Sequence, residues 1–306
     1  MQIYYTKPGK PQPKHKHNQE VRLSSPTPIA ANLDALGQPR GTPAPAQFGV
    51  RASLGTLTGV AHAINQDTLT HHPGHFSGVA DGVGGGAHGE IASRLLMEQL
   101  SNGLPKNEVS AKDCLTNIDL HISKALNELG DGPGASVFAA VWPLEAQHTW
   151  HVLWAGDCQV THYQQAASRW RVAWQSEAQT YQALQLTPPA GVPPDSPVNM
   201  VGNGISLAPG WHRMTSSSGD RIVITSDGFH KAFTASETLL LLEHTEAPLP
   251  LETAQQWCHL ACQRGSQDDI SVVILEITPT PQTRWLLLVA ALILYALIVT
   301  FEWFIT

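Results

Sequence analysis

The sequence predicts an α+β chain with strands and helices in separate layers. Apolar runs of strand length come in groups, and amphipathic helical segments come in pairs between them. Strands do not alternate singly with helices, as a series of βαβ units would require. Near Gln47 the stretch "QFGVRASLGT" alternates well enough for a first strand, and "HFSGVAD" is a short apolar strand that stops at Asp81. "GEIASRLLMEQL" sets Ile91, Leu95, Leu96 and Leu100 on one helical face, and "DCLTNIDLHISKALNEL" forms a second amphipathic helix. "ASVFAAVW", "TWHVLWAG", "QVTHYQQ" and "WRVAWQ" follow as strands, and residues 183–218, with "TPPAGVPPDSP", read as an irregular excursion. "RIVITSD" and "ISVVILEI" are the last strands, with helices at "ASETLLLLEHT" and "LETAQQWCHLACQRG" between them.

The 306 residues have room for one large domain or two small ones. Net charge is −7, which argues against nucleic acid as a partner. The balance is uneven: of 18 Lys and Arg, six lie in residues 1–50, against Glu20 and Asp34 among 25 acids. The body is therefore acidic, as bodies with cation sites often are. Residues 1–46 are rich in Pro, Lys and His without a sustained period and read as a flexible arm. The arm is either a solubilising tail or a contact for anionic lipid or a partner. Cys114, Cys158, Cys258 and Cys262 contain no C-x-x-C pair, so a zinc ribbon is not expected and reduced thiols are. The N-terminus lacks the apolar stretch of a signal peptide.

The body is expected over 47–277 and a short linker over 278–284, followed by an uncharged run from Trp285 to Phe301. With the chain end it reaches about 20 residues, enough to span a bilayer. A transmembrane helix is expected over 285–305; a buried core helix is the alternative. Arg284 would place the preceding body on the cytoplasmic side of the membrane.

Asp67, Asp81, Asp227 and Asp268 each sit where a strand meets a loop. Each alone is explained as a turn or cap residue. Converging without Lys or Arg neighbours, they would repel one another unless hard cations neutralised them, and oxygen-only ligands favour Mg2+, Mn2+ or Ca2+ over Zn2+. Gly82, Gly84 and Ala87 also fit a loose dinucleotide-binding pattern. That reading, an oxidoreductase, needs an acid at a strand end about 20 residues on, and "RLLMEQLSNGLPKNEVS" supplies no such strand. His71, His72 and His75 in "THHPGHF" read as a polar hairpin loop before a transition-metal site.

In order, "GVAHAINQD", "VADGVGG" with "GEIAS", "GASVFAAV", "WAGDCQV", "ITSDGF" and "GSQDDISVVIL" resemble the motifs of the metal-dependent type-2C serine/threonine protein phosphatases, especially the bacterial branch. The resemblance covers about residues 48–277. It implies a four-layer αββα sandwich of two antiparallel sheets flanked by helices, and two divalent cations, Mn2+ or Mg2+. It implies that Asp81 bridges the ions, the Gly82 carbonyl binds one, Asp227 and Asp268 complete the other's shell, and Asp67 acts through water. Those four aspartates would be the catalytic set, with His62 at the phosphate-binding position. The implied reaction is hydrolysis of phosphoserine or phosphothreonine in proteins by a hydroxide between the ions. Cys158 would be a packed thiol, and residues 183–218 a substrate flap or an edge cover. The chain departs from the pattern at His62 and Gln159, where the family has Arg, and at Gly86, where bacterial members often have His; Gln66 is a common bacterial alternative to an acid. The expected protein is a membrane-tethered phosphatase that opposes a kinase. The alternative is a non-catalytic, metal-binding pseudophosphatase that docks phosphoproteins.

Overall fold

The computed structural model describes residues 49–83, 88–130, 134–144, 148–166, 169–204 and 207–279, together with Ile293. The expected arm and the glycines at 84–86 lie outside the described residues, as does the expected span over 285–305 apart from Ile293. Among the described residues no helix is long and apolar enough to cross a membrane.

The chain order is β1 (Gly49–Leu57), β2 (Thr68–His72), β3 (Phe76–Gly82), α1 (Gly89–Asn102), α2 (Glu108–Leu129), β4 (Ser136–Pro143), β5 (Thr149–Ala155), β6 (Gln159–Ala166) and β7 (Arg169–Gln175). It continues with β8 (Gly210–Thr215), β9 (Arg221–Thr225), α3 (Asp227–His230), α4 (Ala235–Glu243), α5 (Thr253–Gln263) and β10 (Ile270–Thr278). One sheet has the order β1–β10–β9–β6–β7 and the other β2–β3–β4–β5–β8. All neighbouring strands are antiparallel. Two antiparallel sheets with helices outside them are the α+β layering that the segment order predicts.

The two-residue period of a strand builds the layers. In β4, Val137, Ala139 and Val141 enter the core between the sheets, where they meet Ile222, Ile224, Val273 and Leu275. Phe138, Ala140 and Trp142 point the other way, onto Leu96, Met97 and Leu100 of α1 and Leu115 and Ile122 of α2. On the far side, Val223, Val272 and Ile274 meet Ala254, Trp257, Cys258 and Ala261 of α5. Central strands are thus buried on both faces, which is why they read as continuous apolar runs. Asn107 and Ser110 cap α2 reciprocally, and Thr234 and Glu237 do the same for α4.

β2, β8 and the single turn α3 have no counterpart among the elements expected from the sequence. His71 and His72 end β2, opposite Ser77 and Phe76, so the expected polar loop narrows to residues 73–75. β8 lies within the expected irregular excursion and pairs with β5. Both are short edge strands with little apolar alternation, which leaves a weak signal.

Phe138 is fully buried between β4 and the helices. Phe138→Ala is expected to cost about 3–5 kcal/mol of stability, read from urea unfolding against the parent chain.

Candidate metal centre

The acids reach one cleft because strands from both sheets end there. Asp81, two residues after Val79, keeps that residue's inter-sheet face, and its carbonyl accepts a 2.7 Å bond from Ser136 Oγ. Asp227 opens α3 just past β9 and is 8% exposed. Asp268 and Asp269 directly precede β10. Gly228 permits this approach: a Cβ there would collide with the Asp269 carbonyl oxygen. Asp157 follows Gly156, whose φ of +89° and closeness to Val137 exclude a side chain.

Asp67 precedes β2 in one sheet, and Ser226 follows β9 in the other. Ser226 Oγ donates to Asp67 Oδ2 at 2.8 Å and accepts from the Ser271 amide at 2.9 Å, joining the two sheets at this end. Asp269 is a second junction. Its Oδ1 accepts from the Gly59 amide at 2.8 Å, and its Oδ2 from the Gln66 amide at 2.7 Å and from His62 Nδ1 at 2.9 Å.

Asp81, Gly82, Asp227, Asp268 and His62 line a cleft of about 300 Å³. Asp67 is not in the lining and bonds to Ser226, beside Asp227. Three further residues complete the charged wall: Asp157, Asp195 and Lys231. Asp157 stands in the quoted "WAGDCQV" at a strand end, the same setting that singled out the other acids. Lys231 is four residues past Asp227 on a helical turn, a spacing that pairs opposite charges. Asp195 has no sequence signal, because only the folding back of residues 176–204 brings it to the cleft. Gln159 lies at the start of β6, paired with Thr225.

The electrostatics are those of crowded, desolvated carboxylates. Burial raises Asp81 well above the usual carboxylate range, and the charges of Asp67, Asp227, Asp157 and Asp268 raise it further. Burial likewise pushes Asp67 and Asp157 each up to about 7, and raises Asp268. Asp227 goes the other way. Burial opposes its charge, but the Lys231 ammonium, 2.7 Å from Oδ2, holds the carboxyl below its ordinary range. Burial pushes His230 down to about 4. Cys158 is 1% exposed, and burial keeps its thiol protonated, in keeping with a packed side chain.

These residues fit hard divalent cations. The donors are oxygens, and Asp67 Oδ1, Asp227 Oδ1 and Gln66 Oε1 are buried without a protein hydrogen-bond partner. His62, Asp268 and Asp269 also bring ligand atoms within 4.8 Å of one another. Asp269 already accepts three hydrogen bonds, however, so it serves as an anchor for the 59–66 loop, and Asp268 is the carboxylate facing the cleft.

No family model and no curated protein matches the chain. Among solved structures, the serine/threonine phosphatase PstP/Ppp of Mycobacterium tuberculosis is 19% identical over 75% of this chain and 99% of its own, with a TM-score of 0.62. The catalytic domain of PstP, solved in complex with 2 manganese ions, is 19% identical over 76% and 99%, with a TM-score of 0.60. PppA of Pseudomonas aeruginosa, described as a key regulatory component of T6SS, is 21% identical over 75% and 98%, with a TM-score of 0.59. The likeness shows that this chain has the same fold as these proteins.

The raised carboxylates set a pH dependence for the cation-free chain. A carboxyl with its folded pKa above its unfolded value contributes stability below about 4, lost as pH rises towards about 7. His230, held neutral, acts oppositely and loses stability as pH falls towards about 4. In chelator, Asp157→Asn is therefore expected to raise the melting temperature at pH 7 relative to pH 4, compared with the parent chain, as read by thermal melts at both pH values.

Proposed function

We propose that the chain is a divalent-cation-dependent protein phosphatase acting on phosphoserine and phosphothreonine. One observation carries the reading: acids from strand ends of both sheets converge on a single cleft, with buried carboxylate oxygens left unpartnered. The fold shared with the bacterial phosphatases supports it.

In this reading Asp81, Gly82, Asp227 and Asp268 hold two cations, Mn2+ or Mg2+. The cations supply an activated water and offset charge developing on the phosphoryl group. The chain's own residues do the positioning. Ser226 fixes one oxygen of Asp67 and leaves the other for a water. Asp269 holds the 59–66 loop and, being acceptor-only when ionised, fixes the proton of His62 on Nδ1. That leaves Nε2 as the ring's remaining polar atom. His62 then donates to a phosphoryl oxygen through Nε2 only as the imidazolium, whereas an Arg would carry a permanent charge and a fork of donors. In the overall reaction, water oxygen bonds to phosphorus, the bond from phosphorus to the Ser or Thr oxygen breaks, and that oxygen takes up a proton.

A span over 285–305, built on the uncharged run from Trp285 to Phe301, tethers this body to a membrane, with Arg284 and the body on the cytoplasmic side. The substrate is then a phosphoprotein at that face, made by an opposing kinase. A second reading is a non-catalytic, cation-binding docking module for phosphoproteins. It is favoured by His62 being committed to Asp269 at the expected phosphate position.

Turnover of phosphoserine and phosphothreonine peptides with added Mn2+, and its loss in chelator, tests the main reading. Asp81→Asn and Asp227→Asn are each expected to lower kcat/KM at least about 100-fold, the upper range for losing even an outer partner of a metal ligand. A folded, Mn2+-binding chain that turns over no phosphopeptide would support the docking reading instead. Residues 1–283 alone are expected to stay in the soluble fraction and keep this activity, while the full chain sediments with membranes. A full chain that remains in the supernatant would remove the tether.

A further inference from the structure

Lys231 lines the cleft, and the proposed reaction gives it no role. Its ammonium lies 2.7 Å from Asp227 Oδ2 and 3.4 Å from Asp195 Oδ2. Asp157 shares the cleft wall with both acids and interacts electrostatically with Lys231. The position is built from three separate parts of the chain. Asp157 is presented by the Gly156 turn, Asp227 by the start of α3, and Asp195 by the 176–204 segment. That last part is ordered by its own backbone bonds, from the Gln182 amide to Pro194 O at 2.7 Å and from the Tyr181 amide to Ser196 O at 3.2 Å.

The two oxygens of Asp227 are in different states. Oδ2 is taken by Lys231, whereas Oδ1 is buried and unpartnered. One carboxylate thus faces an ammonium on one side and keeps a free ligand atom on the other. A Lys head group is a compact point charge with three donors, so it can lie among several carboxylates as a small cation does.

We propose that the ε-ammonium of Lys231 is a resident cation filling a third cation position, between Asp157, Asp195 and Asp227, so that the chain holds one divalent ion fewer than its carboxylates would accept. This rests on the cation-binding part of the reading above and not on turnover. The resident charge also ties the 176–204 segment to the cleft wall through Asp195. Unlike a divalent ion, it is not removed by chelators.

The test is the number of Mn2+ ions bound per chain, by equilibrium dialysis with metal analysis at saturating Mn2+, on the full chain in detergent. Lys231→Met is expected to bind one ion more than the parent chain. Lys231→Arg, which keeps the charge, is expected to match the parent. Adding Asp157→Asn to Lys231→Met is expected to remove the gained ion. Lys231→Gln replaces the Met variant if that one fails to fold, as judged by circular dichroism in chelator. An unchanged ion count in a folded, charge-removed variant overturns the inference. The two readings fail separately: an inactive chain that still gains the ion keeps this inference and loses the phosphatase reading, and an active enzyme with an unchanged count does the reverse.

Discussion

Carboxylates brought together out of water repel one another, and the end of this sandwich is organised around that repulsion. Asp81, Asp157, Asp227 and Asp268 come from different strand ends of two sheets and face the same small volume. Rigid strands prevent them from moving apart. The chain answers the repulsion in three ways: a raised carboxyl pKa, as burial gives Asp67 and Asp157; an ammonium, as at Asp227; and free oxygens that a divalent cation can take. Structure alone stabilises such a cluster poorly, because apolar residues would pack the same space without the electrostatic cost. A bound cation would offset that cost.

Much of the layering was legible in the sequence for a simple reason. Strands such as β4 and β10 are buried on both faces, and that burial demands long apolar runs which the eye can find. β2 and β8 are edges and ask less of their residues, so their pattern is thin. The acids at strand ends were equally legible, since a lone Asp after an apolar run stands out. What the sequence hid was orientation. Nothing in the pair Asp268–Asp269 says that the first faces the cleft and the second turns inward to the Gly59 and Gln66 amides. Asp195 was out of reach altogether, because its place depends on how a long segment folds back.

His62 shows how a neighbour changes the meaning of a residue. In the sequence it stands only as a His where the resembled pattern has Arg. Beside Asp269 it becomes a ring with one nitrogen committed. The same bond makes His62 part of the support for the loop that carries Gln66 and Asp67.

The cleft opens on the seam between the two sheets, and the Ser226–Asp67 bond is a stitch across it. A cation held jointly by Asp81 from one leaf and Asp227 from the other would be a rivet through that seam. Whatever free energy the cation gains on binding is then also cohesion between the leaves, since the unfolded chain offers no such site. Catalytic competence and mechanical integrity would draw on the same ions, and a cell that starves the protein of metal would loosen the body as well as silence it.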